Sequence, residues 1–89
     1  MVRVTFTPNL ARHVASAPVD VSGSSLREVL EAAFRERPGL RDYVLDDGGR
    51  LRRHMSVFVD GRQIADRVRL DDEIRDGAEV YVMQALSGG

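Results

Sequence analysis

Apolar and polar residues alternate from the start of the chain: Val2, Val4 and Phe6 are interleaved with Arg3, Thr5 and Thr7. Period two marks a half-buried strand, and Pro8 and Asn9 bring it to an end. Residues 8–17 read as a loop with one short turn around Leu10 to His13. Val19 and Val21 flank Asp20 in a second short strand, which Ser22-Gly23-Ser24 interrupts. The period then changes. Leu26, Val29, Leu30, Ala33 and Phe34 stand at i, i+3, i+4, i+7 and i+8, and Arg27, Glu28, Glu31, Arg35 and Glu36 occupy the other face. This predicts an amphipathic helix. Ser25 and Glu28 form a capping-box pair at its start, Arg35 to Arg37 suit the negative end of its macrodipole, and Pro38-Gly39 stops it.

Leu40 to Leu45 predicts a short second helical turn carrying Leu40, Tyr43 and Val44, and Asp46-Asp47-Gly48-Gly49 is a loop. Met55, Val57 and Val59 alternate with Ser56 and Phe58 in a third strand. Asp60-Gly61 is a hairpin signal, with Gln63-Ile64-Ala65 as the return. Residues 66–76 are polar, with Val68, Leu70 and Ile74 as anchors, and Asp76-Gly77 is a further turn. Glu79 to Ala85 forms the last strand, with Val80 and Val82 on one face and Tyr81 and Met83 on the other. Apolar residues on both faces predict a central strand. The order is β-β-α-β-β-β, an α+β arrangement with one main helix packed across a mixed sheet. The first and last strands can lie side by side and parallel.

Composition narrows the chemistry. The chain has 89 residues, enough for one domain. It has no cysteine, and all 13 basic residues are arginine. Disulfides, thiolate nucleophiles and Cys-ligated metals are thereby excluded, as are Schiff bases on lysine. A net charge of −1 offers no positive excess for a nucleic-acid binder. No apolar run is long enough to cross a bilayer, and the start lacks a signal-peptide pattern. The expected compartment is the cytoplasm, with no nucleic-acid or membrane partner.

His13 and His54 have no second ligand at a metal-binding spacing, so no metal site and no catalytic residue is expected. The basic stretch Arg50, Arg52, Arg53, His54 reads either as a docking patch for an acidic partner or as a solvated loop. The acidic run Asp71, Asp72, Glu73, Asp76, Glu79 has the same two readings. The chain closes on Leu86-Ser87-Gly88-Gly89. Two glycines give a thin, flexible segment able to thread a narrow channel and bring an α-carboxylate to another enzyme. Adenylation by ATP would make that carboxylate reactive, and a sulfur nucleophile could displace AMP to leave a thiocarboxylate.

These features together resemble a known family, the β-grasp, ubiquitin-like sulfur carriers of the MoaD/ThiS family. The resemblance runs through Val2–Phe6, Leu10-Ala11-Arg12, Ser25-Leu26-Arg27-Glu28-Val29-Leu30, Val57-Phe58-Val59-Asp60-Gly61, Asp76-Gly77-Ala78-Glu79-Val80 and Leu86-Ser87-Gly88-Gly89. It implies a β-grasp domain over residues 1–86 and a flexible tail over 87–89. Gly89 would bear the acyl-adenylate and then the thiocarboxylate, and Gly88, Ser87 and Leu86 would present it. Phe58, Tyr81 and Met83 would form an apolar docking surface, or else second-face core, with Arg52 and Arg53 as further docking residues. The resemblance also implies a protein cosubstrate and not an enzyme. Its partners would be a ubiquitin-activating-type adenylating enzyme using ATP and Mg and a sulfur-accepting synthase, and the chain itself would bind no cofactor. The segment Tyr43 to Asp60 looks more like the longer cysteine-biosynthesis carriers. Cysteine or a specialised sulfur metabolite is thus preferred as the product, with molybdopterin and thiamine as further possibilities. Two alternatives remain: a ubiquitin-like modifier conjugated through Gly89, and a noncovalent interaction domain.

Overall fold

The computed structural model describes residues 1–6 and 18–84. The expected loop at 8–17, with His13, and the closing residues 85–89 therefore lie outside the described residues. Five strands form one sheet in the order β2-β1-β5-β3-β4. They are β1 (Val2–Phe6), β2 (Val19–Val21), β3 (Met55–Val59), β4 (Arg62–Gln63) and β5 (Glu79–Gln84). β1 and β5 are parallel neighbours, with Val4 opposite Val80 and Phe6 opposite Val82, and β5 is central, as its two apolar faces predict. β5 is also antiparallel to β3, from Val59 opposite Val80 to Met55 opposite Gln84. The last strand is hydrogen-bonded on both sides and anchors the middle of the sheet.

Helix α1 (Leu26–Glu36) buries the five residues of its apolar stripe against the inner face of the sheet, where Val2, Val4, Phe6, Val57, Val80 and Val82 are also buried. The Phe6 and Phe34 rings stack with centroids 6.4 Å apart. The Ser25 hydroxyl accepts from the Glu28 N–H at 3.3 Å, as an N-cap should. The reciprocal half of the box is displaced by one residue: the Glu28 carboxylate accepts from the Ser24 N–H at 2.9 Å and the Ser24 hydroxyl at 3.1 Å. Helix α1 ends at Glu36, and a 3-10 turn (Pro38–Leu40) leads into the short α2 (Arg41–Val44). Leu40 and Val44 enter the core, but Tyr43 is 42% exposed and is not the expected anchor. In so short a turn, two residues reach the core and the third faces away.

The β3–β4 turn has Asp60 at φ 50° and Gly61 at φ 85°. Positive φ at both central residues is the type I′ geometry that matches strand twist. The return strand is Arg62–Gln63, one residue earlier than expected. Past it, Leu70 and Ile74 are buried as anticipated, but Val68 is 57% exposed. The Asp66 carboxylate accepts from the Val68 N–H at 2.8 Å and the Arg69 N–H at 2.9 Å. This local turn directs Val68 outward. Leu70 takes φ 54° with its side chain fully buried. The left-handed backbone costs roughly 1–2 kcal/mol, which burial of a leucine side chain, worth about 1.5–3 kcal/mol, offsets.

Arginines tie the irregular segments together. The Arg27 guanidinium donates to the carbonyls of Gly49 (3.1 Å), Val68 (3.0 Å) and Arg69 (3.1 Å). Arg67 donates to the carbonyls of Arg52 (2.7 Å) and Arg53 (3.3 Å), and Arg52 to that of Asp42 (2.7 Å). These contacts pin the connection leading into β3.

Candidate functional site

Strand register sorts the expected site residues by face. Phe58 and Tyr81 lie directly opposite each other across β3 and β5, and Met83 lies opposite Ser56 one row further along. All three stand on the sheet face that α1 does not cover. Phe58 and Met83 are half-buried, and Tyr81 is 39% exposed. Side chains alternate along a strand, so Val57, Val80 and Val82 pack inward while these three face out. The alternative placement of the three in a second core finds no support from the described elements, which leave this face uncovered. Its character changes along β5. Glu79, Arg3 and Asp20 share a row at the start of the strand, and Arg3 reaches Asp20 at 3.4 Å. Tyr81 and Met83 follow towards the finish, where the chain continues into residues 85–89. Leu86, Ser87, Gly88 and Gly89 lie outside the described residues.

Arg52 and Arg53 immediately precede β3, at the end of the sheet where β5 finishes, because Met55 is the partner of Gln84. They have separate tasks. Arg52 is half-buried and its Nε donates to the Asp42 carbonyl at 2.7 Å, so it holds α2 in place. Arg53 is exposed, and among the described residues its carbonyl accepts from Arg67 while its guanidinium has no ion pair. His54 is exposed. Arg67 and Val68, which stand beside this segment, were not anticipated as site residues. Their isolated positions in a polar stretch carry no periodic signal. Among the described residues no group of three or more His, Asp or Glu side chains is placed to hold a metal, and no helix is long and apolar enough to cross a membrane.

Backbone donors fix the ionisation of several carboxylates around the sheet. The Asp60 carboxyl is held below the ordinary aspartate range chiefly by the Glu79 N–H, which donates to it at 3.0 Å, with help from Arg75. Asp46 is lowered chiefly by the Arg50 N–H at 3.0 Å. Both are loop clasps and not acid–base groups: a carboxylate stabilised in its charged form is a poor general acid or base near neutrality. What the arrangement can do is present a firm strand, an apolar face and a cationic edge to another macromolecule.

The sequence profile of the ThiS family matches residues 8–89. The chain belongs to the ThiS family. ThiS-family and related sulfur carriers are small protein cosubstrates, and the β-grasp architecture described above is theirs. Solved structures agree across the whole length. SAMP1 from Haloferax volcanii is similar at 27% identity and TM-score 0.80, covering 99% of this chain and 98% of that one. CysO in the Amycolatopsis orientalis BexX/CysO complex is similar at 20% identity and TM-score 0.85, covering 100% of both chains. Mycobacterium tuberculosis CysO matches at 24% identity and TM-score 0.83, covering 97% of this chain and 100% of that one. No curated protein sequence matches the chain. This ThiS-family member is thus a ubiquitin-like sulfur carrier or modifier.

Proposed function

We propose that the chain carries sulfur as a C-terminal thiocarboxylate. The Gly89 carboxylate attacks the α-phosphorus of Mg-ATP in an adenylating enzyme, releasing pyrophosphate and forming an acyl-adenylate. Sulfide-level sulfur supplied to that enzyme then displaces AMP, and Gly89 is left with sulfur in place of one oxygen. A sulfur-accepting synthase takes up the sulfur, and water supplies the oxygen that restores the carboxylate. ATP and Mg belong to the activating partner. This chain supplies the acyl group and the surface by which it is held, and the cytoplasm, which holds ATP and Mg, is the proposed compartment.

The observation that carries this reading is Gly88-Gly89, inside the family match, following a strand bonded on both sides. The firm strand supplies the base from which two residues without side chains can enter a narrow channel, with Ser87 and Leu86 guiding them. Phe58, Tyr81 and Met83 form the apolar docking face for the activating enzyme. That CysO is found in a complex with BexX supports a protein partner. The length of the middle segment, Tyr43 to Asp60, favours cysteine or a specialised sulfur metabolite as the product over molybdopterin or thiamine. Likeness to SAMP1, a small archaeal modifier protein, supports a second reading in which Gly89 is conjugated to amines of other proteins.

Intact-mass measurement after co-expression with the adenylating enzyme tests the proposal. The expected product has one oxygen replaced by sulfur, and deletion of Gly88-Gly89 abolishes it. Free acid alone, from an enzyme shown to turn over ATP with the chain, refutes the carrier reading. Adducts in lysate that vanish on deleting Gly89 support the modifier reading.

A further inference from the structure

The charges of the chain almost cancel in sum, at −1, but not in place. Residues 50–54 hold Arg50, Arg52, Arg53 and His54 with no acid, whereas residues 71–79 hold five acids and only Arg75. The first segment lies at the end of the sheet where β5 finishes, and the second leads into its start at Glu79. At the basic end a shallow hollow of about 430 Å³ is lined by Leu51, Val68, Arg50, Arg53, Arg67 and Asp46.

The carboxylate in this hollow is already committed. Asp46 accepts from the N–H groups of Gly48 (2.9 Å) and Arg50 (3.0 Å) and lies 3.3 Å from the Arg50 Nε. Arg67 donates to neutral carbonyls, and among the described residues neither Arg67 nor Arg53 has an ion pair. Val68 stands beside them, 57% exposed, on a loop fixed by the Asp66 carboxylate and by Arg27 on its own carbonyl. An apolar residue on a fixed backbone loses little entropy on binding, and the arginines that flank it are among the residue types enriched at interface hot spots.

We propose that this hollow docks an acidic segment of the activating enzyme, with a carboxylate pairing with Arg53 beside the guanidinium of Arg67 and an apolar neighbour covering Val68. The inference rests on the carrier reading and names the chemistry of the surface that receives it. Opposite charges steer the encounter and suppress wrong orientations. The basic end approaches the enzyme first, and the acidic far end is turned away.

The test uses the full chain with the adenylating enzyme of the same organism, following pyrophosphate exchange into ATP at low and high salt. Arg53→Glu and Val68→Asp alter exposed positions, and unchanged melting temperatures confirm folding; Arg53→Gln is the milder probe if Arg53→Glu lowers it. The expected result is a KM for the chain raised about tenfold at low salt with kcat unchanged. Arg53→Lys should retain most of the affinity, and the salt sensitivity of the wild-type KM should be blunted in Arg53→Glu. If Arg53→Glu and Val68→Asp keep a KM within about twofold of wild type, a range that rim contacts seldom exceed, the docking inference is overturned and the carrier reading stands. If the wild-type chain supports no exchange, the carrier reading fails first and the docking inference falls with it.

Discussion

Replacing Arg27 by alanine removes three hydrogen bonds at once, to the carbonyls of Gly49, Val68 and Arg69. It thereby separates α1 from two loops distant in sequence. A net hydrogen bond from a charged donor is worth roughly 1.5–3 kcal/mol. The Val68 and Arg69 contacts are exposed and their carbonyls can turn to water, whereas the Gly49 contact is part-buried. One bond of full value and two of reduced value give a loss of about 2–4 kcal/mol. A domain of this length has a total stability of roughly 4–13 kcal/mol, and each kcal/mol moves its melting temperature by about 4–8 °C. The expected fall in Arg27→Ala is therefore at least about 8 °C by calorimetry, with urea midpoints shifting in parallel. Arg27→Lys should recover less than half of this, because an ammonium cannot fork across three acceptors. Gly49→Ala should also destabilise, since Gly49 has φ +82° and a Cβ there would approach the Arg27 Nη1 at 3.2 Å. A melting temperature for Arg27→Ala within about 3 °C of wild type, a shift worth less than 1 kcal/mol, would refute the clamp.

Acid should unfold the domain through its loop carboxylates. Glu28, Asp46, Asp60 and Asp66 are each held below their ordinary pKa, chiefly by the N–H groups of Ser24, Arg50, Glu79 and Arg69 respectively. A pKa lowered on folding stabilises the native state above the unfolded value and ceases to do so as pH falls through the folded one. Thermal melts should therefore be level above about pH 5 and decline below about pH 4, with a smaller decline in Asp66→Asn; melts unchanged down to pH 3 would contradict this. Tyr81→Ser, at an exposed position outside the core, should shift melting by less than about 5 °C but weaken calorimetric binding to the activating enzyme about tenfold. Unchanged affinity would remove the apolar face from the docking surface.

The helix was legible because five apolar residues repeat with its period and all five are buried. The central place of β5 was legible because a strand apolar on both faces belongs in the middle of a sheet, and a central first strand could then lie parallel beside it, as the register shows. The same alternation put Phe58, Tyr81 and Met83 on one face before any register was known. Tyr43 and Val68 were misread for a shared reason. A lone apolar residue in an irregular segment has no period, and its direction is set by local hydrogen bonds such as those of Asp66. Leu70 depends on a left-handed backbone, which no pattern of side chains announces. Arg52 and Arg53 are neighbours of one residue type, yet the first turns inward to Asp42 and the second outward. Only the placement of α2 against the segment before β3 distinguishes them.

The exclusive use of arginine has a structural side that composition does not reveal. Arg27 and Arg67 each bridge more than one carbonyl, and Arg52 fastens α2 to the segment before β3. A guanidinium presents five N–H donors in a fixed plane, whereas an ammonium is a compact point charge that forfeits more entropy for each bond it makes. Irregular connections without disulfides need such bridges, and here arginine provides them. The same choice has a chemical consequence in a carrier. In the proposed reaction an acyl-adenylate at Gly89 would be open to capture by a nearby side-chain amine, and a guanidinium that stays protonated would not compete. In the proposed docking Arg53 would therefore stand at the end of the sheet where β5 finishes, facing the activating enzyme, without endangering the group to be delivered.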